Sequence, residues 1–208
     1  MKVYEFKGFP NPARVRIALA EKGLFDRVEF VHVDVPGGEH KRPDFLAKNP
    51  SGVVPVMELD DGTLISECSA ITEYLDHAAG DPVLTGRDAK ERAVIHMAQR
   101  KIEAGLLDAV AAYFHHATDG LGPNIETYQN KDWGLRQKEV ALATMRRMDG
   151  MLADRDYLAL DRFTVADITA MAGFAFADFV KLAIPDDCAR LQAWRARVSA
   201  RPSAAMAA

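Results

Sequence analysis

The chain changes its hydrophobic period once, and that change fixes the kind of fold open to it. Up to about residue 78, short strand-like runs alternate with helical ones. Val3–Phe6 reads as a strand, and Ala13–Lys22 as a helix stopped by Gly23. Val28–Val33 is a second strand and Arg42–Lys48 a short helix. Val53–Leu59 and Thr63–Ile65 flank the turn signal Asp60-Asp61-Gly62, and Glu67–His77 is again helical. Gly80 and Pro82 then break the pattern. Beyond them only helical periods follow: Asp88–Ala117, with Gly105 as its weak point, Trp133–Leu152, Thr164–Val180 and Pro185–Ala200. Thr164–Val180 is apolar on nearly every side, as a buried central helix should be. Strands mixed with helices, then helices alone, predict an α/β domain at residues 1–79 and an all-α domain at 86–208.

Several function classes drop out on composition. A net charge of -4 and a pI of about 5.9 offer no basic face to nucleic acid or anionic lipid. No run approaches the roughly 18 apolar residues of a membrane span. Met1–Phe6 holds no apolar signal core, so the expectation is a cytoplasmic protein that is not exported. Cys68 and Cys188 are too few for a disulfide framework or a cysteine zinc site, and no metal is expected.

Residues 49–71 carry more than a period. They read Asn-Pro-Ser-Gly-Val-Val-Pro-Val-Met-Glu-Leu-Asp-Asp-Gly-Thr-Leu-Ile-Ser-Glu-Cys-Ser-Ala-Ile. Pro55, between Val54 and Val56 at a strand start, cannot donate to a sheet ladder. Glu67 and Cys68 sit where a strand turns into a helix, so backbone N–H groups there point at an anion. The block resembles the core of the glutathione S-transferase family, NPxGxVPxL followed by DGxxLxES and xAI. Pro12–Lys22, Gly38–Lys41, Pro43–Asn49 (with Asp44 for glutamate) and Tyr113–Thr118 are similar to segments of a bacterial and fungal subgroup. In that subgroup the usual catalytic tyrosine, serine or cysteine is missing.

The resemblance implies a thioredoxin-like N-terminal domain that binds glutathione as co-substrate, and an all-helical C-terminal domain that forms the second-substrate site. It implies a detoxifying transferase that joins the glutathione thiolate to small hydrophobic electrophiles, in a twofold homodimer, with no nucleic-acid or membrane partner. If Pro55 is cis, as the resemblance implies, Val54 turns its N–H and C=O toward the cysteinyl backbone of glutathione; a trans proline at a strand edge is the alternative. Glu67 and Cys68 would take the γ-glutamyl carboxylate, although Glu67 also fits as a plain first-turn acid. Relatives usually carry serine at the Cys68 position, and a thiol is the weaker donor. Lys41 matches a lysine that binds the glycyl carboxylate in some relatives, with His40 beside it; a solvated surface is the other reading of both.

A thiol of pKa about 8.5 is only a few per cent ionised at neutral pH, so the protein must favour the thiolate. The loop Lys7-Gly8-Phe9-Pro10-Asn11-Pro12 has no tyrosine, serine or cysteine, and Phe9 stands where relatives often have serine. Asn11 before Pro12 reads as an N-cap, with the amides of Asn11, Ala13 and Arg14 as thiolate donors. The Asn11 side chain either donates to sulfur or only caps the helix. Asp108, Ala111 and His115 share one helix face, and His115 could hold a water beside the sulfur or accept its proton. A partly exposed histidine near a helix end is the plain alternative. Phe9, Leu107, Ala111, Phe114 and Phe176 could wall an apolar site or simply pack.

Two rivals stand beside this reading. One is a glutathione-dependent disulfide or peroxide reductase, which usually needs a cysteine at the first helix; residues 9–13 have none, so bound glutathione would be its only thiol. The same loop opposes a maleylacetoacetate isomerase. The other rival is a non-catalytic glutathione-binding protein.

Overall fold

The computed structural model describes residues 1–207; Ala208, the last residue of the small-residue tail, lies outside the described residues. Its elements form two compact units. One is Met1–Arg87 with the C-terminal stretch from Arg201, and the other is Asp88–Ala200.

The first unit holds a four-stranded sheet of β1 (Lys2–Glu5), β2 (Glu29–His32), β3 (Val56–Glu58) and β4 (Leu64–Ser66), in the order β2-β1-β3-β4. β1 runs parallel to β2 and antiparallel to β3, and β3 pairs with β4 as a hairpin. The crossover from β1 to β2 is α1 (Pro10–Glu21); α2 (Pro43–Leu46) precedes β3, and α3 (Cys68–Ala78) follows β4. Val3, Ile17, Leu19, Met57, Ile71 and Leu75 are fully buried, and Val56 is buried in a cluster with Val33 and Phe45 of α2. This is the βαβαββα order and the thioredoxin-like α/β class expected.

Two boundaries differ from the sequence reading, and both bear on the site. α1 begins at Pro10, three residues before Ala13. Proline at the first helical position loses nothing, because that N–H has no helical partner, and its fixed φ already suits the helix. Phe9, not Asn11, is therefore the N-cap residue, and it caps without a side-chain bond. β3 starts at Val56, so Pro55 stands just before the strand rather than inside it.

A buried ion pair crosses this unit. Arg16 of α1 donates from Nε to both carboxylate oxygens of Glu5 at 2.9 Å, and its Nη2 also bonds Glu5. The guanidinium sits 4.0 Å from the Phe30 ring centroid. Glu5 is 2% and Arg16 8% exposed. The C-terminal stretch, which sequence alone gave to the helical region, clusters with this unit. Arg201 grips Glu21 at the end of α1 through two bonds of 2.9 and 2.7 Å, and Ser203 adds a third.

The second unit is helical. Its elements are α4 (Ala89–Ile102), α5 (Asp108–Ala117), α6 (Lys131–Met151), α7 (Val165–Phe179) and α8 (Ala189–Ser199). The single helix expected over Asp88–Ala117 is interrupted by a π-helical turn at Glu103–Leu107. Gly105 lies in it, and any side chain there would meet Thr144 of α6, with a Cβ only 2.5 Å from Thr144 Oγ1. α7 is buried along most of its length and packs Phe174 against Trp194 of α8. At its head the Thr164 amide and hydroxyl donate to Asp167 Oδ2, while the Leu158 amide and Trp194 Nε1 donate to Oδ1. Among the described residues no helix is long and apolar enough to cross a membrane.

Two stability measurements follow. Glu5→Gln leaves the Arg16 charge buried against a neutral amide, and urea unfolding should show a loss of about 3 kcal/mol; an unchanged midpoint would mean the pair is dispensable. For Asp167, burial pushes the carboxyl up to about 6 against the pull of its donors. An unfolded aspartate titrates near about 3.9. Between these values the folded state keeps a proton that the unfolded state has released, so this contribution shrinks as pH rises. Against Asp167→Asn, the wild-type chain should lose about 3 kcal/mol in unfolding free energy from about pH 4 to pH 6, with a flat difference above that. A difference independent of pH would show the carboxyl ionised throughout.

Candidate functional site

The sheet register brings three chain segments to one end. Tyr4 of β1 pairs with Val56 of β3, and Val56 pairs with Ser66 of β4. The exit of β1, the entry to β3 and the exit of β4 therefore lie side by side. β1 leads into α1 and β4 into α3, so the N-termini of both helices open at that end. The Cys68 thiol donates to the Asn11 backbone carbonyl at 3.4 Å and ties the two N-termini together. Cys68 is itself buried, with its side chain turned to α1.

The Val54–Pro55 bond is cis. The ladder begins at Val56, and outside it no backbone group among the described residues pairs with the Val54 amide or carbonyl. The approach to Val54 is stitched down from below. Buried Asn49 donates from Nδ2 to the Val53 carbonyl at 2.8 Å and accepts the Ser51 amide at 3.2 Å. Lys41 reaches the Gly52 carbonyl at 2.7 Å, which holds its ammonium two residues from Val54 while its side chain stays largely in water. Burial and the neighbouring Lys41 charge push the His40 imidazole down, so it is neutral at neutral pH. Its Nδ1 is buried and has no hydrogen-bond partner among the described residues.

Glu67 caps α3 with φ 69° and ψ 123°, a backbone conformation that a residue with a Cβ adopts rarely. The Ile71 amide bonds the Glu67 carbonyl, so the amides of Cys68, Ser69 and Ala70 form the first turn at the helix N-terminus. At α1 the count of free amides is smaller than the sequence suggested. The Ala13 amide bonds the Phe9 carbonyl at 3.1 Å, and in a helix starting at Pro10 the Arg14 amide is taken by Pro10. Pro10 and Pro12 have none, so Asn11 is the one amide donor left in that turn. Its side chain does not cap. Oδ1 accepts Arg14 Nη1 at 3.1 Å, so the Asn11 NH₂ group is the end left to donate. Asn11 is exposed, and Phe9 is half-buried with its ring 4.5 Å from that of Phe6.

His115 belongs to the second unit. It stands near the C-terminus of α5 and bonds through Nδ1 to Glu126 Oε1 at 2.7 Å. Glu126 comes from the loop before α6, and no period or motif in the sequence singles it out. Asp108, expected on the same face, pairs with Arg100 at 3.6 Å. Leu107 and Phe114 are buried in the helical core, while Ala111 and Phe176 are half-buried. Phe114 packs edge-on against Phe176 and Phe179 at 5.4 and 5.7 Å, and Phe179 is 70% exposed. Sequence reasoning missed this third ring, whose apolar neighbours read as core.

The chain matches two family models, the glutathione S-transferase N-terminal domain over residues 10–78 and the glutathione S-transferase C-terminal domain over residues 106–202. Glutathione S-transferase 2 of Saccharomyces cerevisiae is 56% identical over 203 residues, which cover 98% of this chain and 87% of the yeast protein. The crystal structure of Gtt2 from Saccharomyces cerevisiae is similar with a TM-score of 0.97 at 54% identity, over 100% of both chains. A glutathione S-transferase domain-containing protein from Marinobacter aquaeolei VT8 gives a TM-score of 0.96 at 62% identity, over 98% of this chain and 99% of that one. With both halves matched and relatives this similar along nearly the whole length, the chain belongs to the glutathione S-transferase family.

Proposed function

We propose that the chain joins the thiolate of glutathione to small hydrophobic electrophiles, as a homodimer in the cytoplasm and in the service of detoxification. Residues 1–79 form the glutathione domain on this reading, and residues 86–208 supply the second-substrate site. The observation that carries it is Val54. Its amide and carbonyl stay outside the ladder next to cis Pro55, at the end of the sheet where two helix N-termini open. An extended tripeptide can add there as a short strand, with the Val54 backbone meeting its cysteinyl backbone. The amides that open α3 at Cys68 and Ser69, beside Glu67, suit the γ-glutamyl carboxylate. Lys41 and neutral His40 suit the glycyl carboxylate.

The chemistry asked of the protein is modest. The thiol must lose its proton, and the sulfur must then attack an electrophilic carbon as a C–S bond forms and a leaving group departs. A thiolate near the start of α1 is stabilised by the helix dipole, by the Asn11 amide and by the Asn11 side-chain NH₂. His115 takes the proton, directly or through water. Because the Cys68 thiol is buried and committed to the Asn11 carbonyl, the thiol of glutathione is the one available for chemistry. The exposed Phe179 beside Phe114 and Phe176 offers apolar surface to an electrophile.

The test is the ultraviolet thiolate absorbance of bound glutathione against pH, alongside turnover of chlorodinitrobenzene. The bound thiol should ionise below its free value. Asn11→Ala should raise it by about one unit and lower kcat about tenfold. Lys41→Met should raise the KM for glutathione about tenfold and leave kcat in place. Binding with an unshifted thiol and no turnover would replace the transferase with a glutathione-binding protein. Turnover of disulfides or peroxides, but not of chlorodinitrobenzene, would replace it with a reductase.

A further inference from the structure

His115 and Glu126 are eleven residues apart, and the loop between them is built around their contact. Gln129 Nε2 donates to the carbonyls of His115 and Thr118 at 2.7 and 2.8 Å, closing the C-terminal end of α5. The Asn130 amide donates to His116 Nδ1 at 3.2 Å, so the neighbouring histidine is spent on the backbone. Gly120 has φ 55°, and a Cβ built on it would lie 2.3 Å from Glu126 Oε1. Only glycine leaves room for the carboxylate where it stands. That oxygen receives two bonds, from the Leu121 amide at 2.8 Å and from His115 Nδ1 at 2.7 Å. The Glu126 side chain is 10% exposed, against 40% for His115.

We propose that Glu126 is a positioning residue for His115, fixing the proton on Nδ1 and leaving Nε2 as the proton acceptor. An ionised carboxylate can only accept, and its oxygen already holds an amide proton, so the ring nitrogen against it must donate. The other neutral tautomer would set two lone pairs against each other at 2.7 Å. Burial pushes the Glu126 carboxyl up, but the Leu121 amide and His115 outweigh it and hold it below the ordinary carboxylate range. A carboxylate on Nδ1 also stabilises the charge that His115 gains when Nε2 takes a proton, and it stops the ring from turning. The inference rests on the catalytic reading of His115, and the experiment separates the two.

Nitrogen NMR of the imidazole in the free protein reads the tautomer without any turnover. The wild-type ring should be protonated at Nδ1, and Glu126→Gln should move population to the Nε2-protonated form. With chlorodinitrobenzene, Glu126→Gln should lower kcat about tenfold at unchanged KM for glutathione, and Glu126→Asp should recover part of it. Gly120→Ala, which displaces the carboxylate without removing it, should reproduce the same split. In a His115→Ala background, Glu126→Gln should cost nothing more. A ring signal indifferent to Glu126→Gln overturns the role of Glu126, as does an additive double variant, since the loop would then act without the histidine. Full turnover in His115→Ala overturns the catalytic reading of His115, and the positioning role with it.

Discussion

Tyr4, Val56 and Ser66 stand in one row across the sheet, and the candidate site depends on that row. Once β1, β3 and β4 are in this register, three chain ends have no choice but to gather at the same place. None of the residues there is unusual by itself. A proline before a strand, an asparagine after another proline and a cysteine starting a helix are ordinary residues. Their meaning comes from adjacency, and hydrogen-bond geometry sets that adjacency. Val56 and Met57 point to opposite faces of β3 and both are fully buried, so the sheet is covered on both sides beside this row.

Buried charge makes a second framework around this one. Glu5 and Arg16 pair at the junction of β1 and α1, directly behind the loop that leads to Asn11. Glu21 at the far end of the same helix is gripped by Arg201, and Asp167 gathers donors at the head of α7. Such groups add little net stability compared with apolar packing, but each tolerates few arrangements of its neighbours.

The strands, the helices and their order were legible because hydrophobic period reports on burial, and burial decides the element. The boundaries that misled were those set by proline. Asn11 looked like a cap because Pro12 follows it, yet Pro10 fits the first helical position as well, and the helix uses the earlier one. That shift turned Asn11 from a capping acceptor into a side chain with its NH₂ free, which sequence could not distinguish. Glu126 was invisible for a different reason: a contact from a loop to a helix leaves no period behind. The Glu5–Arg16 pair was hidden as well, since each residue sits in an otherwise ordinary strand or helix.

The wide turn at Glu103–Leu107 has one more consequence. A π turn holds one residue more than the α-helical turn it replaces, and one residue is worth about 100° of rotation. Everything after Leu107 is thus out of phase with α4 by roughly that angle. Had the same sequence run on from α4 as an unbroken α-helix, Phe114 would stand at the angle His115 now occupies. The angle at which His115 leaves its helix is in this sense set by a turn that begins a dozen residues upstream.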